Sequence, residues 1–246
     1  MQRNELVNYL NELLKIDEYN DYAPNGLQVE GCDEIKIIVT GVTACNELIN
    51  EAIKLNAHAI IVHHGFFWKS EPQEIVGFKQ KRIKNLLVND INLLGYHLPL
   101  DGHSELGNNA ELARLWQLKD ITPDSGLVRL GHLSEPIKID EFITRVTTTL
   151  GRKPLHLKGG PEFVKTVSWC SGGAQNYIDK AVKFGADVYI SGEVSEQTMH
   201  LAKECGIHYL SAGHHATEKW GIKALGEHLS AKFKLQCHFV DIPNPV

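Results

Sequence analysis

The sequence predicts an α/β fold built as two similar halves. Three observations predict it. Runs of β-branched residues recur along the chain, each bounded by turn residues, as buried strands require. Segments of helical periodicity separate them, so strand-helix-strand units with parallel pairing are expected. One such unit also matches another further along: Glu51-Ala52-Ile53-Lys54-Leu55-Asn56-Ala57-His58-Ala59-Ile60-Ile61 lies over Lys180-Ala181-Val182-Lys183-Phe184-Gly185-Ala186-Asp187-Val188-Tyr189-Ile190 without a gap in the apolar pattern.

The elements follow in order. Leu6, Tyr9, Leu10, Leu13 and Leu14 form a helical stripe, with Asn4 as its expected cap. Asp21-Tyr22-Ala23-Pro24-Asn25-Gly26-Leu27-Gln28-Val29-Glu30-Gly31 reads as turn chemistry. Residues 35–40 are a strand, 46–55 a helix, 59–62 a strand, 78–88 a helix and 91–94 a strand. Gly107-Asn108-Asn109 is expected to turn before a helix over 110–118. The loop-like Thr122-Pro123-Asp124-Ser125-Gly126 suggests a boundary, with a first half at 1–125 and a second at 126–246. The second half starts its regular structure at 137–139. A helix over 141–150, a strand over 164–169, a helix over 175–184 and a strand over 187–191 follow.

Bulk properties narrow the function. The 246 residues carry 25 basic and 30 acidic side chains, a net charge of −5, with no dense basic block to hold nucleic acid. The short basic run Lys79-Gln80-Lys81-Arg82 reads as a solvated helix face. No secretory signal and no membrane-length apolar run is evident, and a cytoplasmic protein is expected. The five cysteines contain no C-x-x-C pair, which argues against both a disulfide framework and a thiolate zinc site.

The chemistry concentrates where strands end. Ile60-Ile61-Val62 runs into His63-His64-Gly65, and ligands in open α/β sheets collect at the carboxyl ends of strands. Phe66-Phe67-Trp68 follows, either as an aromatic wall beside a site or as plain core. Another predicted strand leads to His97 and Asp101, and a third region carries Gly213-His214-His215-Ala216-Thr217-Glu218. His97 to Asp101 and His214 to Glu218 share a four-residue offset, which places both side chains on one face if the segment is helical.

Mixed imidazole and carboxylate donors suit zinc, iron, manganese, nickel or cobalt better than calcium or magnesium. There are more such donors than one catalytic metal needs, which suggests two metals sharing a bridging carboxylate. Serine-hydrolase, P-loop, dinucleotide and H-E-x-x-H signatures are absent. Cys170-Ser171-Gly172-Gly173, between a strand and a helix, is a weak candidate for phosphate and reads more readily as a plain turn.

Four motifs together resemble one family across essentially the whole chain: the Asp21 to Gly31 stretch, Val62-His63-His64-Gly65, His97-Leu98-Pro99-Leu100-Asp101 and Gly213-His214-His215-Ala216-Thr217-Glu218. They look like those of the GTP cyclohydrolase 1 type 2 homologs, dinuclear-metal proteins related to the yeast NGG1-interacting factor, and closest to the short bacterial branch. The resemblance implies a metal pair in the cleft between the two halves and a ring-shaped homohexamer. It implies His63, His64, Asp101, His214 and Glu218 as ligands, with Glu218 bridging two divalent ions. His97 is then a supporting or substrate-facing residue, and His215 is a second candidate for proton transfer. The implied activity is metal-dependent hydrolysis of a purine nucleotide, as in GTP ring opening with loss of formate. The alternative is a non-catalytic metal-binding ring protein that buffers or delivers metal or docks partners.

Overall fold

The computed structural model describes residues 1–122 and 126–246. In chain order the elements begin with α1 (Arg3–Leu14), β1 (Gly26–Val29), β2 (Ile37–Thr43), α2 (Asn46–Lys54), β3 (Ala59–His64), α3 (Gly77–Val88), β4 (Asn92–Gly95) and α4 (Leu98–Gly102). There follow α5 (Asn108–Trp116), β5 (Lys119–Asp120), β6 (Arg129–Lys138), α6 (Ile139–Leu150), β7 (Leu155–Leu157), β8 (Phe163–Trp169), α7 (Ile178–Lys183), β9 (Val188–Ser191), α8 (Glu196–Glu204), β10 (His208–Ser211), α9 (His214–Phe233) and β11 (Gln236–Phe239). The chain forms two compact units. One comprises Met1–Gly107 and Gly221–Pro243, the other Asn108–Trp220 and Asn244–Val246. The boundary expected near 125 involves residues 123–125, which lie outside the described residues.

The first unit is built on a five-stranded sheet of order β1-β4-β3-β2-β11. β2, β3, β4 and β11 run parallel, and β1 closes one edge antiparallel to β4. Alternate residues of these strands feed two apolar layers, as the period of two demands. Ile38, Ile61 and Leu94 pack with Leu6, Leu10 and Leu14 of α1 and with Leu225 and Leu229 of α9. Val39, Ile60, Val62 and Leu93 pack with Leu48, Ile49 and Ala52 of α2 and with Ile83 and Leu86 of α3. Burial on both faces explains why the strands read as continuous apolar runs.

The second unit is built on a six-stranded mixed sheet of order β5-β6-β8-β9-β10-β7. β8, β9 and β10 are parallel, while β5, β6 and β7 join antiparallel. Val167, Trp169, Val188, Ile190 and Leu210 face Phe142, Val146 and Leu150 of α6. Tyr189 and Tyr209 face Ala181 and Ala202 on the other side. Each unit therefore has a mixed α/β architecture around its own sheet.

Several local expectations change. Gln2, not Asn4, stands before α1, and its N–H donates to Glu5 Oε2 at 3.1 Å. Within the stretch read as a turn, Gly26–Val29 forms an edge strand with an irregular register against β4. The helix expected from 110 begins at Asn108, because Asn108 and Asn109 are buried and serve the interior. Asn109 accepts from the Trp169 indole and the Ser171 amide at 3.0 Å each. The regular structure expected from Ile137 starts earlier, in the ten-residue β6 that begins at Arg129 and contains Ile137, and its register breaks between His132 and Ile137. Pro136 lies in that break, where a missing amide hydrogen is tolerated.

Candidate metal centre

In the first unit the donors sit at or just past the ends of strands. β3 delivers His63 and His64 at its last two positions. The chain turns at Gly65, where a Cβ would overlap the Gln28 side chain. Gln28 occupies that space, accepting from Phe66 N–H at 2.7 Å and donating to the Pro24 carbonyl at 2.8 Å. β4 ends at Gly95 and leads through His97 into α4, which carries Asp101. The Asp101 amide donates to the His97 carbonyl at 3.2 Å, so the four-residue offset is helical here.

His63, His97 and Asp101 are buried, and His64 is half-buried. His63 Nδ1 donates to the Tyr96 carbonyl at 3.0 Å. A carbonyl can only accept, so in the neutral ring Nε2 carries the lone pair, and it lies 3.5 Å from Asp101 Oδ2. His64 Nδ1 lies 3.1 Å from Thr43 Oγ1. His97 Nδ1 lies 2.9 Å from Asp21 Oδ1. One donor atom from each of His63, His64 and His97 falls within 4.8 Å of the others.

Asp21 had read only as a turn residue. It is half-buried with its side chain covered, and its carboxylate also accepts from the amides of Ala23 and Leu98 and from the Asn25 side chain. Burial opposes its ionisation, but the hydrogen bonds from His97 and Asn25 outweigh this and hold its carboxyl well below the usual carboxylate range.

In the second unit, β10 ends at Ser211 and the chain enters α9 through Gly213, whose φ of 101° favours glycine. His214 opens the helix, and Glu218 lies one turn on, fully within hydrogen-bond reach at 3.0 Å between Nε2 and Oε2. Glu218 is buried. His214 Nδ1 lies 2.7 Å from Glu193 Oε1, a partner that motif reading missed. A signal did exist, because the repeat alignment sets Gly192-Glu193 over His63-His64. Burial works against a charged imidazole, but Glu218 and Glu193 together outweigh it and raise the His214 pKa to about 9. His215, half-buried, donates its amide to the Val246 carbonyl at 3.1 Å.

The Cys170 to Gly173 turn is committed internally. The amides of Cys170, Ser171 and Gly172 donate to Ile190, Asn109 and Thr217, each at 3.0 Å. Those donors are not aimed at a phosphate. Gly172 instead adopts φ 65°, and a Cβ there would overlap Glu218 Oε1. The turn makes room for the carboxylate. The aromatic run after His64 divides: Phe66 is core, Phe67 is 38% exposed, and Trp68 lies 5.7 Å from His64 and 4.9 Å from His97 between ring centroids.

The donor chemistry fits divalent transition metals. Four histidines each have Nδ1 beside an oxygen of the chain: Tyr96 for His63, Thr43 for His64, Asp21 for His97 and Glu193 for His214. Such partners fix the ring orientation of metal-ligating histidines. Buried His/Asp/Glu clusters in this chain could therefore hold metal. Among the described residues all five cysteines are free thiols, and none is near enough to form a metal-binding group with other donors. No helix among the described residues is long and apolar enough to cross a membrane.

Comparison with known proteins shows the family. The chain is 54% identical over 250 residues to a GTP cyclohydrolase 1 type 2 homolog of Haemophilus influenzae, covering both chains in full. It is 52% identical over 246 residues to the Escherichia coli K12 homolog, again covering both in full. Among solved structures, protein ybgI, described as of unknown function, superposes with a TM-score of 0.98 at 52% identity over both complete chains. Reduced HcgD from Methanocaldococcus jannaschii superposes with a TM-score of 0.87 at 27% identity over 98% of each chain. A family model matches residues 1–245, and the chain belongs to the family it describes, Duf34/NIF3 (NGG1p interacting factor 3).

Proposed function

We propose that this protein is a metal-dependent hydrolase acting on a purine nucleotide. The residues that would hold two divalent ions are His63, His64 and Asp101 of the first unit and His214 and Glu218 of the second, with Glu218 as the carboxylate both ions would share. The observation that carries the reading is the set of oriented histidines, each with Nδ1 beside a chain oxygen. The relatives at 52–54% identity, named GTP cyclohydrolase 1 type 2 homologs, support the substrate class. When bound, such ions supply Lewis acidity and lower the pKa of water.

The chain's own residues do the rest. The Tyr96 carbonyl and Thr43 hydroxyl fix the rings of His63 and His64. Asp21 holds His97 so that Nε2 can take a proton from the reacting water and return it to the leaving group. His215 is the second candidate for that transfer. Glu193 holds His214 against Glu218. The two units are read as descendants of one duplicated module, and the assembly as a ring-shaped homohexamer.

The test is formate release from GTP by protein loaded with each candidate metal in turn. Turnover that disappears with chelator and returns with metal supports the proposal. Two bound metals with no turnover on any purine nucleotide would favour the non-catalytic metal-binding reading instead.

A further inference from the structure

Beside the histidines of the first unit lies an aromatic pair that the metal chemistry does not use. Tyr22 and Trp68 meet at 5.5 Å between ring centroids with 39° between planes. Both approach His97 edge to face, at 5.0 and 4.9 Å. Trp68 also lies 5.7 Å from His64. Tyr22 is nonetheless 53% exposed. A side chain whose task is to cover His97 would bury its own ring, since exposed aromatic area forgoes the gain of burial.

The pair is also held in place. The Trp68 indole N–H donates to the Gly65 carbonyl at 3.1 Å. The Lys69 amide donates to the Tyr22 carbonyl at 3.0 Å, and Lys69 Nζ donates to the Asp21 carbonyl at 2.9 Å. These bonds tie the segment carrying Trp68 to the segment carrying Tyr22. Between them and His64, Phe67 takes a left-handed φ of 65°, a strained conformation for a bulky residue, secured by its amide donating to Glu71 Oε2 at 3.0 Å. Its ring turns instead to Lys79, whose Nζ lies 5.3 Å from the centroid. The strained turn thus separates Phe67 from Trp68, which faces the histidines.

We propose that Tyr22 and Trp68 form a stacking platform for a flat heteroaromatic ring, the base end of a purine nucleotide. This rests on the hydrolase reading above and specifies how its substrate is held. Stacking on an aromatic face accepts any nucleobase, because every base presents a π-face. The platform therefore selects for an aromatic base and discriminates little between guanine and adenine.

The experiment is equilibrium binding of GMP, AMP and ribose 5-phosphate to the metal-loaded protein, with metal content measured on every sample. GMP and AMP should bind with similar affinity and ribose 5-phosphate far more weakly. Tyr22→Leu and Trp68→Leu keep apolar cover over His97 but remove the π-face, and each should weaken GMP binding by about tenfold or more. Trp68→Phe should restore most of the affinity. Wild-type GMP affinity in both leucine variants, or ribose 5-phosphate binding as tightly as GMP, overturns the platform. The two readings separate by metal content. A two-metal protein that binds no GMP sinks the platform alone, whereas Trp68-dependent GMP binding by a protein that takes up no metal sinks the metal reading alone.

Discussion

Glu193 Oε1 lies 2.7 Å from His214 Nδ1, and the opposite nitrogen of the same ring lies 3.0 Å from Glu218 Oε2. One imidazole is held by carboxylates at both ends, so the direction of its Nε2 is set by a residue 21 positions away in sequence. Glu193→Ala should weaken metal binding by about 10- to 100-fold, the usual cost of losing a partner behind a ligating histidine. Glu193→Gln should lose less, because its amide oxygen can still accept from Nδ1. Metal titration against a competing chelator measures both, with circular dichroism confirming the fold. Equal affinity in wild type and Glu193→Ala would show that His214 needs no such support.

Gly172 tests the same carboxylate from the other side. Alanine there must adopt a left-handed backbone and overlap Glu218 Oε1. The backbone alone costs roughly 1–2 kcal/mol. Gly172→Ala should therefore lower the midpoint of urea unfolding and reduce metal content together. Gly151 also has a positive φ but open space around its Cβ position. Gly151→Ala should pay only the backbone cost and keep its metal.

His97 is predicted to support the site without ligating metal. Asp21 fixes its ring, and its donor atom lies within 4.8 Å of those of His63 and His64. His97→Ala should keep metal content near wild type and slow turnover by about 100-fold or more, as loss of a general base does. Loss of a full metal equivalent would make His97 a ligand.

A pH effect on stability is expected at a second pair of histidines. His208 Nε2 donates to the Pro161 carbonyl at 2.8 Å, so its Nδ1 accepts from His156 Nε2 at 3.0 Å. Burial, and then the neighbouring His208, lower the pKa of His156 below its ordinary 6.5. The unfolded chain consequently binds a proton at higher pH than the folded one. The contribution to stability is present above pH 6.5 and is lost as pH falls below it. Urea unfolding of the metal-free protein at about pH 7.5 and about pH 5.5 should show a smaller loss in His156→Asn than in wild type. An unchanged loss would place the effect elsewhere.

Much of this was legible in the sequence because burial on both sheet faces leaves a strong mark. The runs ending at Thr40, Val62 and Leu94 are apolar at every position that packs against a helix layer. Two stretches of strand that escaped notice lack that mark. β1 is a four-residue edge with an irregular register, and the outer part of β6 is exposed and interrupted at Pro136. Among the candidate donors, His63, His64, His97, Asp101, His214 and Glu218 stood out by their types near predicted strand ends, and the family resemblance singled out five of them as ligands. Asp21 and Glu193 did not, because their partners His97 and His214 are brought to them only by the fold.

The central claim is that five residues hold two metals. The most direct measurement is metal content per chain, by elemental analysis of protein purified without chelators, for the wild type beside Glu218→Gln and Asp101→Asn. A carboxylate that serves both ions also offsets their mutual repulsion, which a neutral amide cannot do. About two ions per chain are predicted for the wild type. Glu218→Gln should lose one or both with the fold intact, and Asp101→Asn mainly one. One ion or fewer in the wild type would contradict the account. Two ions retained by Glu218→Gln while Asp101→Asn loses both would move the bridge to Asp101.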